Sequence, residues 1–289
     1  MSLQSQTGAS KRAKPFRGHL EHGWIHLVLL TYTFIALFPP MLIVVNSFKA
    51  KLEIFNAPYT FPTPATFDAV GYLTVFSSAR FDLYFLNSLI VTVVSLVIIL
   101  FVSSMAAFAL AEYDFRGNTL LGLYLSIGIM VPIRLGTVSL LKMMVGLKLV
   151  NTLPALILIY VAAGIPLAIF VLTQFFRTVP RELKDAARID GASEYRVFLM
   201  VLPIVRPALG TVAIFNMIPI WNDLWFPLIL TPGEQTKTVI LGAQVFLGQF
   251  VNDWNSVLAA LTLAVVPVMI LYVIFSRQLI RGLTQGAVK

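Results

Sequence analysis

Apolar and polar positions fall along this chain in long blocks rather than in short alternation. Six blocks are almost uninterrupted by charge: Trp24–Asn46, Phe85–Ala111, Leu120–Leu141, Leu153–Phe176, Ala208–Leu230 and Ser256–Phe275. Each holds 20 or more residues, and a helix that crosses hydrocarbon needs about 20 mostly apolar residues. The pattern therefore predicts an all-α integral membrane protein with six transmembrane helices. Pro39, Pro40, Pro132, Pro166, Pro219 and Pro267 lie inside the blocks, where membrane helices tolerate proline if neighbours satisfy the freed carbonyls. Ser103, Ala107 and Ala111 recur every four positions in the second block, the spacing of a close helix–helix contact.

Composition agrees with a membrane-embedded chain. Of 289 residues, 58% are hydrophobic and 12% charged, against about 25% charged for a soluble domain. There is no cysteine, which excludes disulfides, thiolate metal sites and a catalytic thiol. The first apolar run is too long for a signal-peptide core and is read as a retained span. The net charge of +8 is explained by topology, not by nucleic acid. Six spans put both termini on one side, and that side carries fourteen Lys and Arg against seven on the other. Cations are retained in the cytoplasm, so a tail 1–23 and a tail 277–289 are placed there, flanking a membrane domain 24–276. The outer connection 47–84 is rich in aromatics and proline and is read as a packed loop.

The inner connection 177–206 stands apart. It holds ten of the thirty-four charged residues: Arg177, Arg181, Glu182, Lys184, Asp185, Arg188, Asp190, Glu194, Arg196 and Arg206. Thr178 and Pro180 mark a helix start, with proline in the first turn. Arg181 and Asp185 are spaced to pair, and Leu183, Ala186, Ala187 and Ile189 form a weak apolar face. Asp190-Gly191 is a helix stop. Ser193 is an N-cap for a second helix through Tyr195, Val197, Phe198 and Val201, closed by Pro203. The result is a charged helix–glycine–helix hairpin on the cytoplasmic face.

"ELKDAARIDGASEYRVFLMVLPIVRPAL" resembles the EAA loop of permease subunits of bacterial ABC importers, in particular the carbohydrate-uptake group that includes the maltose permeases. Asp185 stands where that motif usually has Glu. "SFKAKLEIFNAPYTFPTP", "FLNSLIVT", "WNDLWFPLIL" and the closing "FSRQLIRGLTQGAVK" are also similar to that family, whereas 1–20 match nothing. The resemblance implies a bacterial inner-membrane permease that pairs with a second, homologous permease. It also implies two ATP-binding subunits on the cytoplasmic loops and an extracytoplasmic solute-binding protein. Glu182, Asp185, Ala186, Ala187, Asp190, Gly191 and Ala192 would then form the ATPase-coupling surface. ATP and Mg would sit on the partner subunits, since no phosphate-binding loop of the G-x-x-x-x-G-K-[ST] type occurs here and no cofactor is expected on this chain.

Charged and amide side chains inside spans are costly and suggest function. Asp223, with Asn222 beside it, lies late in the fifth span, and Asn216 a little deeper. Arg134 follows Pro132 in the third. It either snorkels or pairs with an acid, or it meets an anionic or polar solute. These four are the candidates for a solute path. Asn87 and Ser88 are read as caps of the second span. His19, His22 and His26 beside Trp24 are read as an interfacial anchor rather than a metal site. No hydrolase elbow or triad order is present. The expected function is alternating-access import of a sugar or sugar derivative. A polyol or glycerol phosphate permease is the nearest alternative, and an ion-coupled carrier or a membrane-embedded enzyme is more distant.

Overall fold

A computed structural model of the protein describes residues 17–78, 80–247 and 253–287. The tail ahead of Arg17, and with it most of the unmatched segment 1–20, lies outside the described residues, as do the side chains of His19 and His22.

The described residues are predominantly helical. The first span is α1 (Arg17–Asn46), followed by two short outer helices, α2 (Lys51–Asn56) and α3 (Val70–Ser78). The second span is α4 (Phe81–Glu112) and the fourth is α7 (Leu153–Arg177). Both run slightly beyond the apolar blocks, because helical hydrogen bonding does not stop where hydrocarbon does. These two and Gly23–Asn46 are the helices long and apolar enough by themselves to cross a membrane among the described residues. Counting each of two bent pairs as one span, Asn118–Met130 with Ile133–Gly146 and Glu194–Val201 with Arg206–Trp221, brings the number to five. The last helix, α13 (Trp254–Ala287), runs 34 residues, but the expected span Ser256–Phe275 includes side chains outside the described residues.

The third span is not one helix, contrary to the pattern over Leu120–Leu141. It divides into α5 (Asn118–Met130), a 3-10 turn Ile133–Gly136 and α6 (Thr137–Gly146), bent by 80°. Pro132 explains the break: it has no N–H to donate, and it disfavours helix in the residue before it. Val131 is accordingly extended, at φ −76° and ψ 114°. The fifth block, Ala208–Leu230, is likewise divided. It comprises α10 (Arg206–Trp221) and α11 (Trp225–Leu230), separated at Asn222–Leu224.

Two apolar clusters hold the bundle. The larger joins α4, α7 and α10 through Ile99, Ala107, Phe108, Leu156, Ile159, Leu172, Phe176 and Val212. Ser103 and Ala107 are fully buried, as the small-residue spacing predicts for a close contact. The smaller cluster packs α3 on α13 around Val75, Tyr84, Trp221 and Ala260. The outer loop is packed too: the ring of Phe48 stacks on those of Phe67 and Tyr72 at 6.0 and 4.9 Å. Lys49 is buried there, its ammonium donating to the Ala57 carbonyl at 2.7 Å. Loss of solvation lowers its pKa from the ordinary lysine value.

Candidate functional site

The charged block folds into α8 (Arg181–Ile189) and α9 (Glu194–Val201). Pro180 occupies the N-cap position, one residue ahead of the first turn. The turn between the helices is a Schellman motif. The Gly191 N–H donates to the Arg188 carbonyl at 3.0 Å and the Ala192 N–H to that of Ala187 at 2.9 Å. Gly191 has φ +79°, the left-handed conformation that glycine adopts without a Cβ penalty. Ser193 is the N-cap of α9, with extended backbone and no side-chain bond to the helix. Val197, Phe198 and Val201 turn inward.

The burial of α8 corrects the expected apolar face. Leu183 and Ile189 are exposed, whereas Lys184 is buried. Asp185 does not pair with Arg181 but with Arg188, at 2.9 Å. Lys184 pairs with Glu112, the last residue of α4. Arg188 reaches the other oxygen of Glu112 at 2.7 Å and Glu194 at 2.9 Å. The Tyr113 hydroxyl donates to Glu194 at 2.6 Å. Above this network the rings of Phe108, Phe176 and Phe198 meet, with Phe108 5.6 and 5.5 Å from the other two. Four charges of the block are therefore engaged within the chain. Arg181, Glu182, Asp185, Ala186, Asp190 and Gly191 remain exposed on the outward side, while Ala187 and Ala192 are half-buried beneath them.

Hydrogen bonds from Arg188 and then Tyr113 hold the Glu194 carboxyl below the ordinary carboxylate value. Burial, reinforced by Glu194, pushes the Tyr113 hydroxyl up to about 12. A depressed carboxylate adds stability above its unfolded pKa and loses that contribution as pH falls through the folded value. The Glu194 contribution thus persists at neutral pH and is lost only in acid.

The second candidate region lies where the two broken spans meet. Asp223 is buried and accepts four hydrogen bonds. They come from the Tyr160 hydroxyl at 2.9 Å, the backbone N–H groups of Trp225 and Phe226 at 3.2 Å each, and Arg134 at 3.3 Å. It thereby satisfies the free N–H groups at the start of α11. The Arg134 side chain is 68% exposed against 5% for Asp223, so the pair is buried on the acid's side only. Asn216 is buried beside Gly164, its amide donating to the Val212 carbonyl at 2.9 Å. Asn222 is exposed and donates to the Ile218 carbonyl at 3.1 Å. Arg134, Asn222 and Asp223 are brought together, and Asn216 sits deeper on α10.

Asn87 and Ser88 are not caps, because α4 already starts at Phe81. Asn87 donates to the carbonyls of Gln235 and Lys237, each at 3.0 Å, and Ser88 accepts from the Val239 N–H at 2.8 Å. Asn151, with φ 63°, accepts from Gly233 N–H at 2.9 Å. Neither Glu112 nor this outer loop was singled out from sequence. Both act through pairs far apart in the chain, which leave no local signal.

Long apolar helices, two interrupted spans joined by the Arg134–Asp223 pair and a charged hairpin point to a membrane transport component. Residues 99–285 match the family model described as binding-protein-dependent transport system inner membrane component, and the chain belongs to that family. It is similar to the diacetylchitobiose uptake system permease protein of Streptomyces coelicolor, 33% identical over 90% of this chain and 87% of that one. It is also similar to the arabinooligosaccharides transport system permease protein of Halalkalibacterium halodurans, 35% identical over 89% and 92% of the two chains. Its fold is shared with the crystal structure of a bacterial ABC transporter that imports the acidic polysaccharide alginate. That match has a TM-score of 0.76 at 22% identity and covers 91% of this chain and 99% of that one. The protein is thus a transport subunit and not an enzyme, as expected from the resemblance to carbohydrate-uptake permeases.

Proposed function

We propose that this chain is the permease subunit of an ATP-driven importer of the carbohydrate-uptake class, moving a sugar or sugar derivative across the bacterial inner membrane. The observation that carries the proposal is the exposed helix–Gly191–helix hairpin in a chain of this family. Its outward face, Glu182, Asp185, Ala186, Asp190 and Gly191, is the docking surface for one of two ATP-binding subunits, which bring ATP and Mg. A second permease completes the path, and a solute-binding protein delivers the cargo from outside. The path runs past the bend of the third span and the interruption of the fifth at Asn222–Leu224. There Arg134 and Asn222 present polar groups to the solute, and Asp223 and Asn216 fix the backbone behind them. Six spans place both termini in the cytoplasm, supported by the fourteen-to-seven bias of Lys and Arg.

Orientation has a direct test, because the chain contains no native cysteine. Ser193 and Thr63 are both exposed, and the proposed topology puts them on opposite sides of the membrane. In intact spheroplasts a membrane-impermeant thiol reagent is expected to label Thr63→Cys and to spare Ser193→Cys until the membrane is opened. Labelling of position 193 from outside overturns the orientation and places the hairpin beyond the reach of any ATPase.

A further inference from the structure

Besides the packing of Phe198 on Phe108 and Phe176, one carboxylate ties both helices of the hairpin to the bundle. Glu112 ends α4 and is 9% exposed; Lys184, which binds it, is 5% exposed at the side chain. A buried ammonium is tolerated only where it is paired and hydrogen-bonded, so Lys184 fixes α8 to α4 at this point. The second oxygen of Glu112 accepts from Arg188 at 2.7 Å, and Arg188 also binds Glu194 of α9 at 2.9 Å. Both helices of the hairpin are therefore tied to the end of α4.

The far end of α4 grips something else. Asn87 and Ser88 hold the loop that follows α11 through the carbonyls of Gln235 and Lys237 and the N–H of Val239. Between these ends α4 is a continuous 32-residue helix, about 48 Å long at 1.5 Å per residue. No proline falls in α4, whereas α7, α10 and α13 each carry one in the helix interior, Pro166, Pro219 and Pro267. A stiff element gripped at both ends can carry displacement from one to the other, since rigid elements and the bonded networks at their ends are among the carriers of coupling between distant sites.

We infer that Glu112 is a positioning residue through which the coupling hairpin drives α4, and that α4 carries the motion to the outer loop at 235–239. This rests on the proposed function, since it needs the hairpin to be the point where the ATPases act. The test uses the complete complex in proteoliposomes, with sister permease, ATPase subunits, binding protein and the cognate saccharide. Glu112→Gln alone leaves a buried Lys184 without its anion, so the informative variant is Glu112→Gln with Lys184→Met, which removes both charges together. The ATPase subunits should co-purify in wild-type amount, and solute moved per ATP hydrolysed should fall at least fivefold. Glu112→Asp, which keeps the carboxylate, should restore most of that ratio. A wild-type ratio in the double variant overturns the inference. Loss of the ATPase subunits overturns it as well, since Glu112 would then serve docking and not transmission. Gly191→Val run in parallel separates the two levels. If it alone uncouples, only the role of Glu112 fails; if neither variant uncouples, the hairpin is not the drive point and the proposed function fails with it.

Discussion

Gly191→Val is expected to uncouple the complex while leaving the permease in the membrane. The residue sits at φ +79°, where an L side chain costs roughly 1–2 kcal/mol and a β-branched one more. A Cβ there meets nothing within 4 Å of its own chain, so the damage is not internal crowding. It arises from two other sources. The Schellman turn opens, which releases α8 from its angle to α9. An isopropyl group also projects from the exposed tip, where a docking subunit must approach the bare backbone. The turn lies outside the apolar blocks, so insertion of the spans proceeds as in wild type. Solute-stimulated ATP hydrolysis by the purified complex is expected to fall at least tenfold, with unchanged permease in the membrane fraction. Asp185→Glu is expected to be close to silent, because the carboxylate is 60% exposed and its Arg188 partner is also held by Glu112 and Glu194.

Asp223→Ala should be the most destabilising single change in the candidate solute path. Its removal strands the buried Tyr160 hydroxyl and the N–H groups of Trp225 and Phe226 at once. An unsatisfied buried polar group costs about 1–3 kcal/mol; with some relaxation of the short helix, a total of about 3 kcal/mol is expected. The melting temperature of the detergent-purified chain should drop by roughly 5–10 °C. Arg134→Gln provides the contrast. Its bond to Asp223 is a single 3.3 Å contact from a largely exposed side chain, worth at most about 1 kcal/mol, and Asp223 keeps its other three donors. That variant should melt within about 3 °C of wild type yet import less solute if the guanidinium faces the path. Equal melting of Asp223→Ala and wild type would show that the carboxylate does not hold the break between α10 and α11.

The unbroken spans were legible because Trp24–Asn46, Phe85–Ala111 and Leu153–Phe176 are long uncharged apolar runs, which stay helical even through Pro39, Pro40 and Pro166. The hairpin stop was legible for a local reason as well: Asp190-Gly191 needs only its own backbone to turn. The breaks were harder to place. Proline by itself does not decide, since α7 continues through Pro166 and α13 through Pro267, while the third span bends by 80° beside Pro132. What differs at the fifth span is a buried acid that supplies acceptors to the interrupted backbone, and its donors Tyr160 and Arg134 lie far off in sequence. The same holds for the hairpin's inner face. Ten charges in thirty residues suggested a surface presented to a partner. Part of that surface is instead turned toward Glu112 on another helix, a pairing across 72 positions that no periodicity reveals. Spacing pairs Asp185 with Arg181, but Arg188, held in place by Glu112 and Glu194, takes Asp185 instead.

The most direct measurement is solute flux in proteoliposomes assembled with and without the ATPase subunits. With sister permease, ATPases and binding protein present, uptake of the cognate saccharide is expected only when ATP is supplied on the hairpin side, and the permease pair alone should show no flux above empty vesicles. Accumulation of the saccharide without ATPases, driven by an ion gradient, would contradict a permease worked through the 177–206 hairpin.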